Sequence, residues 1–538
     1  MTQTRDLTRS STFILLTAST GAKCARQEGI AFSPGEKTQG RTLRVFPEIR
    51  KQIIEGIGSS FTEASAFVLA HLEKKRRYAV MQRIFGAEGA NFTMARSPIG
   101  SCDFSVRGCR SYADIAGDDT LKHFSITMDN DGFDLAVYPG IKDATYDLLP
   151  MIHEAQQIKA AQGDKEVKIV ASAWTAPPWM KDNDAWFIPA SDINNWEGRG
   201  GTLKQEHYTT YARYLIEYLK SYQKEGVKLW GLTPVNEPCG NNGQWESLHF
   251  TPQQQSDFVK NHLGPHLHAQ GFSDVRLLVY DQNRDHMEEW AETLFSDPET
   301  ARYCYGLAVH WYSSTFKVYE ETFNAIHSRF PTQKIIHTEG CIDDLGKDAP
   351  EGIGDPVRFK ESGWFGNDDF WWNENATDWA YTADWKGVDA DDHPIYTPVH
   401  RYARDIIVGL NNWVSGWIDW NLVLDRDGGP NHAGNFCGAP IMIDTDSGEV
   451  YFTPIFHVLS QFSRTIRPGD QAVKCELDRA DLGKDDLHAC ATLNSEGLLS
   501  IQLLNTTSQP LTFNLCIGSL CAELSITANA VQTVCIQT

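Results

Sequence analysis

Two hydrophobic periods alternate along the chain from about residue 48 to about residue 460. Short runs of β-branched and apolar residues recur eight times: "QIIEGIGSSF", "NFTMARSPIG", "VKIVASAWTAPP", "KLWGLTPVNEP", "VRLLVYDQN", "GLAVHWYSS", "KIIHTEGC" and "VSGWIDWNLVL". Between them the period lengthens to that of a helix. In "YTTYARYLIEYLKSYQKEG", Tyr211, Leu215, Tyr218 and Leu219 fall on one face. Eight strands separated by helical stretches predict an α/β chain folded as a (β/α)8 TIM barrel. A doubly wound open sheet would show the same alternation, but with a Gly-rich phosphate loop after its first strand. "GIGSS" lacks the third glycine and the lysine that the nucleotide motifs need.

Beyond about residue 465 the period drops to two. "HACATLNSEGLLSIQLLNTTSQPLTFNLCIGSLCAELSITANAVQTVCIQT" alternates apolar and polar positions between turn signals, as antiparallel strands do. "STFILLTAST" and "TLRVFP", before the first barrel run, read the same way. One accessory β-sandwich built from both chain ends accounts for both. The expected division is 1–47 for the first strands of that side domain, 48–464 for the catalytic barrel and 465–538 for the remaining side-domain strands. An insert at about 343–398, rich in Gly, Asp and aromatics ("ESGWFGNDDFWWNENATDWAYTADWKG"), separates the seventh and eighth barrel strands. Following the C-terminal end of a strand, it should overhang the barrel mouth.

Composition removes several classes of function. The 538 residues carry a formal net charge of −22, which would repel phosphate backbones and anionic headgroups, so nucleic acid is not an expected partner. No run approaches the roughly 18 to 20 apolar residues of a membrane-spanning helix. The opening "MTQTRDLTRSSTFILLTASTGAKC" has only a short apolar core, Phe13 to Leu16, and reads as an edge strand rather than a secretory signal. An intracellular protein is the expectation, and the sequons at Asn91, Asn375 and Asn505 matter only on export. None of the 12 cysteines forms a CxxC pair or a His/Cys cluster at zinc spacing, so neither a metal nor a cofactor is expected.

Catalytic groups of such barrels project from the C-terminal ends of strands. Two apolar runs stop at a glutamate: Glu237 in "GLTPVNEP" ends the fourth strand, and Glu339 in "KIIHTEG" ends the seventh. Those strands face each other across the mouth. Two carboxyls about 5 to 5.5 Å apart suit retaining glycoside hydrolysis, whereas a wider gap admits water for inversion. Glu237 would be the acid and then the base. Glu339 would stay ionised and attack the anomeric carbon, while Asn236 is placed to hydrogen-bond the sugar 2-OH.

The ordered set "GIGSSFTEASA", "ARSPIGSCDFSVRGCRSYADI", "ASAWTAPPWMKDN", "TPVNEP", "VHWYSS", "HTEGCID" and "GWIDWNLVLDRDGGPNHAGNF" resembles glycoside hydrolase family 30, especially its glucosylceramidase branch. The resemblance covers most of residues 50–465 and extends to a β side domain made from both ends. It implies a β-glucoside-cleaving enzyme with Glu237 as acid/base and Glu339 as nucleophile. It further implies Asp103 on the outer hydroxyls of glucose, Trp174 and Trp420 lining the sugar, Tyr312 near the nucleophile and Asn435 as a polar contact. Arg96 would stand behind them, holding a catalytic carboxylate ionised, and His310 would be a packed, hydrogen-bonded histidine. The substrate is expected to be glucosylceramide or a β-glucan oligosaccharide. The insert, where Trp364, Phe365, Phe370, Trp371, Trp372, Trp379, Tyr381 and Trp385 crowd together, exceeds the connection of the lysosomal members. Its mixture of aromatics with Asp and Asn suits either stacking along a glycan or a self-packed lid. A β-1,6-glucanase and a catalytically inactive carbohydrate-binding barrel are the rival readings.

Overall fold

In a parallel sheet with both faces covered, strands read as continuous apolar runs, and all eight such runs form strands. The computed structural model describes residues 12–35, 41–163, 166–188, 200–240, 245–342, 363–374, 393–478 and 482–538. Strands β1 (Gly56–Ser60), β2 (Met94–Ile99), β3 (Lys168–Ala173), β4 (Gly231–Thr233), β5 (Arg276–Asn283), β6 (Gly306–His310), β7 (Lys334–Glu339) and β8 (Val414–Asp419) close into one barrel, with β8 beside β1. Met94, Val170, Leu278, Ala308, Ile336 and Ile418, one from each of six strands, fill its interior. Gly58 is forced by the closure: a Cβ there would sit 1.7 Å from the Met94 carbonyl oxygen of the neighbouring strand. Outside the barrel, helix α1 (Tyr208–Lys224) buries Tyr211, Leu215, Tyr218 and Leu219, the face that its period marks out.

The chain ends interleave in a ten-stranded sheet. Thr12–Ala18 pairs antiparallel with Ala530–Gln537 along its whole length. Thr42–Ile53 runs between Gln471–Asp478 and Leu511–Ile517. Leu16, Leu43, Val45, Ile501, Leu515 and Ile536, drawn from both ends, share one apolar cluster. The N-terminal strands complete the sheet: Thr12–Ala18 extends it beyond Ala530–Gln537, and Thr42–Ile53 bridges Gln471–Asp478 to Leu511–Ile517. Cys516 and Cys521, opposite each other in one hairpin, are joined by a disulfide.

A third sheet was not evident in the sequence: Val423–Asp425, Ile441–Ile443 and Val450–Phe452 pair just after β8. Its strands are three residues long, too short to carry a period. It pins both ends of the loop that contains Asn431, His432 and Asn435. In the described part of the insert, Trp364 and Trp371 are each 1% exposed and stack at 5.6 Å between centroids. Trp364 Nε1 donates to the Arg426 carbonyl, and both rings press on Gly438, where a Cβ would come within 3.1 Å of each. Phe365 packs on Tyr451 and Trp372 on His400. Trp364 and Trp371 are thus buried against the loop after β8, whereas Phe365 and Trp372 stay half-buried. Trp379, Tyr381 and Trp385 lie outside the described residues.

Helix α2 (Pro454–Thr465) couples barrel to side domain. Thr453 caps it by accepting from the Phe456 N–H. Gln461, fully buried, accepts from Thr17 Oγ1 (2.7 Å) and donates to Thr533 Oγ1 (3.0 Å) and the Val531 carbonyl (3.2 Å). Replacing it by Leu leaves those partners buried without Gln461. Gln461→Leu is therefore expected to cost about 2–3 kcal/mol, read as a lowered urea midpoint at unchanged slope. An unchanged midpoint would show that this junction adds nothing to stability.

Candidate active site

Side chains alternate along a strand, so the residue two places beyond each interior apolar position also points inward, one layer nearer the mouth. From Met94, Val170, Ala308 and Ile336 this leads to Arg96, Ser172, His310 and Thr338. β5 departs from the count. Ala308 pairs with Tyr280 and Val309 with Gln282, so Asp281 (φ 59°) is bulged and turns into the barrel. A second irregularity, at Thr338 on β7, brings Glu339 level with His310.

Arg96 and Asp281, both fully buried, form the centre of this layer. Arg96 Nη2 donates to Asp281 Oδ2 (2.7 Å) and Asn236 Oδ1 (2.6 Å), Nη1 to Glu339 Oε2, and Nε to Ser172 Oγ (2.9 Å). Asp281 also accepts from Thr233 Oγ1 (2.7 Å) and Thr338 Oγ1 (2.7 Å), and its Oδ1 lies 3.0 Å from His310 Nε2. Burial disfavours the Asp281 charge, but Arg96, His310 and Thr233 hold its carboxyl well below the usual range.

Both strand-end glutamates hang from this layer. Glu237 sits just beyond β4 in the left-handed region (φ 51°), held there by its N–H donating to the Asp281 carbonyl (2.9 Å). Such a conformation is costly for a non-glycine residue and persists where the surroundings impose it. Glu237 Oε1 lies 3.3 Å from His310 Nδ1, and Tyr312 Oη donates to Glu339 Oε1 (3.1 Å). A Glu237 oxygen, a His310 nitrogen and a Glu339 oxygen all lie within 4.8 Å of one another. Burial pushes the Glu339 carboxyl up and the Glu237 and Asp281 charges add to this, while His310 and Arg96 oppose it. Although burial works against its charge, Glu339, Asp281 and Glu237 push His310 up to about 9. His310 is thus a buried cation between Asp281 and Glu237.

Around the carboxylates, Trp174 and Trp420 stack at 5.2 Å and join Phe104, Cys341 and the half-buried Tyr312 in one apolar cluster. The Arg96 guanidinium lies 4.6 Å over Trp174, a cation–π contact. Asp103 follows β2. Its Oδ2 accepts from Asn435 (3.1 Å) and Asn431 (3.3 Å). Burial pushes its carboxyl up to about 7, with Asn435 opposing and the Glu339 charge adding. Every residue named from the sequence stands around this one mouth. Reading the sequence missed Asp281, Ser172, Thr233, Asn431 and Trp245, the last packed on the Trp174–Trp420 cluster. For Asp281 a signal existed: a carboxylate inside the apolar run "LLVYDQ" must be paired.

Asp281→Asn keeps the shape and removes the central anion. It is expected to cost about 3–5 kcal/mol in a denaturant titration, because Arg96 remains buried and charged without its central anion. With a depressed folded-state pKa, the Asp281 contribution is present above its unfolded value and lost only as the pH falls towards the folded one. Asp281 itself does not titrate between about pH 5 and pH 8, but it helps hold the His310 proton, so the deficit should narrow as the pH rises towards about 9.

Known proteins share this architecture. The sequence profile of the glycosyl hydrolase family 30 TIM-barrel domain matches residues 54–387 and 382–466, and that of the family's beta sandwich domain matches 472–534. The chain is 29% identical over 480 residues to lysosomal acid glucosylceramidase of Mus musculus, covering 88% of this chain and 79% of that protein. It is 24% identical over 447 residues to an endo-1,6-beta-D-glucanase of Neurospora crassa, covering 81% and 75%. The crystal structure of SrfJ from Salmonella typhimurium superposes with a TM-score of 0.78 at 24% identity, covering 98% of this chain and 99% of that one. With barrel and side domain both matched along nearly their whole length, the chain belongs to glycosyl hydrolase family 30.

Proposed function

We propose that the protein is a retaining β-glucosidase of the glucosylceramidase kind, in which Glu339 is the nucleophile and Glu237 the acid and base. The observation that carries this is that one oxygen of Glu237 lies within 4.8 Å of one oxygen of Glu339. Inverting enzymes hold their carboxyls roughly 6.5–9.5 Å apart to seat a water between them. The surroundings divide the roles. Glu339 receives a donor on each oxygen, Arg96 on one and Tyr312 on the other, and these with His310 favour its charged form against the burial that pushes its carboxyl up. Its oxygen attacks the anomeric carbon while Glu237 protonates the departing glycosidic oxygen. In the second half, Glu237 takes a proton from water, whose oxygen displaces Glu339 from the sugar.

Asp103, Asn431 and Asn435 are placed to hold the outer hydroxyls, with Trp174 and Trp420 forming the apolar floor. Asn236, its Oδ1 fixed by Arg96, keeps its amide N–H groups for the 2-OH. The lysosomal relative supports glucosylceramide as the substrate, and the buried Trp364 and Trp371 remove one argument for an extended glycan track. The Neurospora crassa relative supports a β-1,6-glucan instead. Among the described residues, no helix is long and apolar enough to cross a membrane.

Two measurements test the proposal. Hydrolysis of detergent-dispersed glucosylceramide is compared with hydrolysis of β-1,6-linked glucose oligosaccharides. Release from the lipid is expected, and cleavage of the oligosaccharides alone would transfer the protein to the glucanase reading. On an aryl β-glucoside with an activated leaving group, Glu339→Gln should lower kcat by about 10⁴-fold or more, whereas Glu237→Gln should spare much of the first step. Wild-type turnover by Glu339→Gln would refute the assignment. On the same substrate, KM should rise as the pH falls through about 7, where Asp103 gains a proton and stops accepting two sugar hydroxyls. Asp103→Asn should have a higher KM throughout and lose this dependence.

A further inference from the structure

Three chemically reactive side chains meet at the barrel mouth outside the carboxylate pair. Cys109 comes from the loop after β2, Glu246 from the loop after β4 and His432 from the loop after β8. Cys109 Sγ lies 3.7 Å from His432 Nε2, and His432 Nε2 lies 3.3 Å from Glu246 Oε2. The three atoms fall within 4.8 Å of one another. These are separations found between neighbouring ligands of a tetrahedral ion. With sulfur at about 2.3 Å from the metal and nitrogen or oxygen at about 2.0–2.1 Å, adjacent ligand atoms stand about 3.3–3.6 Å apart.

The histidine is already oriented for such a role. His432 Nδ1 lies 2.9 Å from the Ser105 carbonyl oxygen, which can only accept, so Nδ1 carries a hydrogen. That leaves Nε2 facing the thiol and the carboxylate. A backbone carbonyl behind the second ring nitrogen is the contact that fixes a metal-binding imidazole. The Glu246 side chain has no exposed surface, whereas Cys109 is partly exposed and offers a way in. Thiol, carboxylate and imidazole thus turn three potential ligand atoms towards one small space, where either a proton or a metal cation can bind.

We propose that Cys109, Glu246 and His432 form a binding site for one divalent thiophilic cation, zinc above others, with the fourth position open to water. Binding breaks the S–H bond and displaces the proton on Nε2. Both protons go to solvent, and the thiolate and carboxylate neutralise the ion's two charges. Affinity therefore rises with pH. The His432 N–H donates to the Asp103 carbonyl (3.0 Å), and Asn431 holds the Asp103 carboxylate. A bound ion would clasp three loops around the carboxylate assigned to the sugar's outer hydroxyls.

The full chain, stripped with chelator and dialysed, is titrated with cobalt(II) and then with zinc. One equivalent of cobalt should bind, giving tetrahedral visible bands and a near-ultraviolet sulfur-to-cobalt charge-transfer band that zinc abolishes. Cys109→Ser should lose the charge-transfer band, and His432→Gln should lose stoichiometric uptake. Cys24→Ser, which alters another partly exposed thiol, should keep both. Metal-free melting of each variant, matched to that of the metal-free parent, shows that folding is intact. No uptake by the parent chain at micromolar metal would overturn the proposal and leave a His432–Glu246 ion pair closed by a proton. Uptake indifferent to both Cys109→Ser and His432→Gln would overturn it as well.

Discussion

A guanidinium without solvent, set inside the barrel one layer above its apolar interior, dictates most of what surrounds it. Arg96 has no exposed surface, and stripping such a charge of water costs several kcal/mol unless its donors meet anions in good geometry. Asp281, Glu339, Asn236 and Ser172 supply the acceptors, from four other strands or strand ends. Each must hold its place for the charge to be satisfied. Catalytic geometry and fold stability are therefore one constraint at this layer: the cation that needs Glu339 also favours the charged form of Glu339.

The bulge at Asp281 is the backbone adjustment that makes the layer possible. Regular pairing would place Tyr280 at the inward position. The extra residue turns a carboxylate inward, and its carbonyl holds Glu237 in the left-handed conformation. The same aspartate thus touches Arg96, the partner of Glu339, and the backbone of Glu237. His310 links them a second time, carrying its charge between Asp281 and Glu237. Change at any of these positions propagates to both carboxylates, which is why the site cannot be described as two independent glutamates.

Much of this was legible before any coordinates. Eight apolar runs of parallel-strand character became eight strands, and α1 buried the face that its period marks. Glu237 and Glu339 were readable because each interrupts an apolar run at the end of a strand. Asp281 was equally visible as a letter, yet only the bulge decides that it points inward, and pairing register is set by neighbouring strands. The small sheet after β8 has strands too short for a period, so the loop carrying Asn431, His432 and Asn435 could not be anchored from the sequence. The aromatic insert left two readings open, stacking along a glycan or a self-packed lid. Trp364 and Trp371 follow the second, which the sequence could not decide because composition reports how many rings there are and never which way they face. Cys109, Glu246 and His432 are 137 and 186 positions apart along the chain, and no spacing rule can join them.

The central claim is that the carboxylate gripped by Arg96 bonds to carbon during turnover. Its most direct test is to inactivate the enzyme with a 2-deoxy-2-fluoro β-glucoside bearing a good leaving group, then digest it and locate the added mass. One fluoroglucosyl group on the peptide containing Glu339, with none on that containing Glu237, is the predicted result. Label on Glu237, or normal turnover of the reagent with inversion and no adduct, would contradict it.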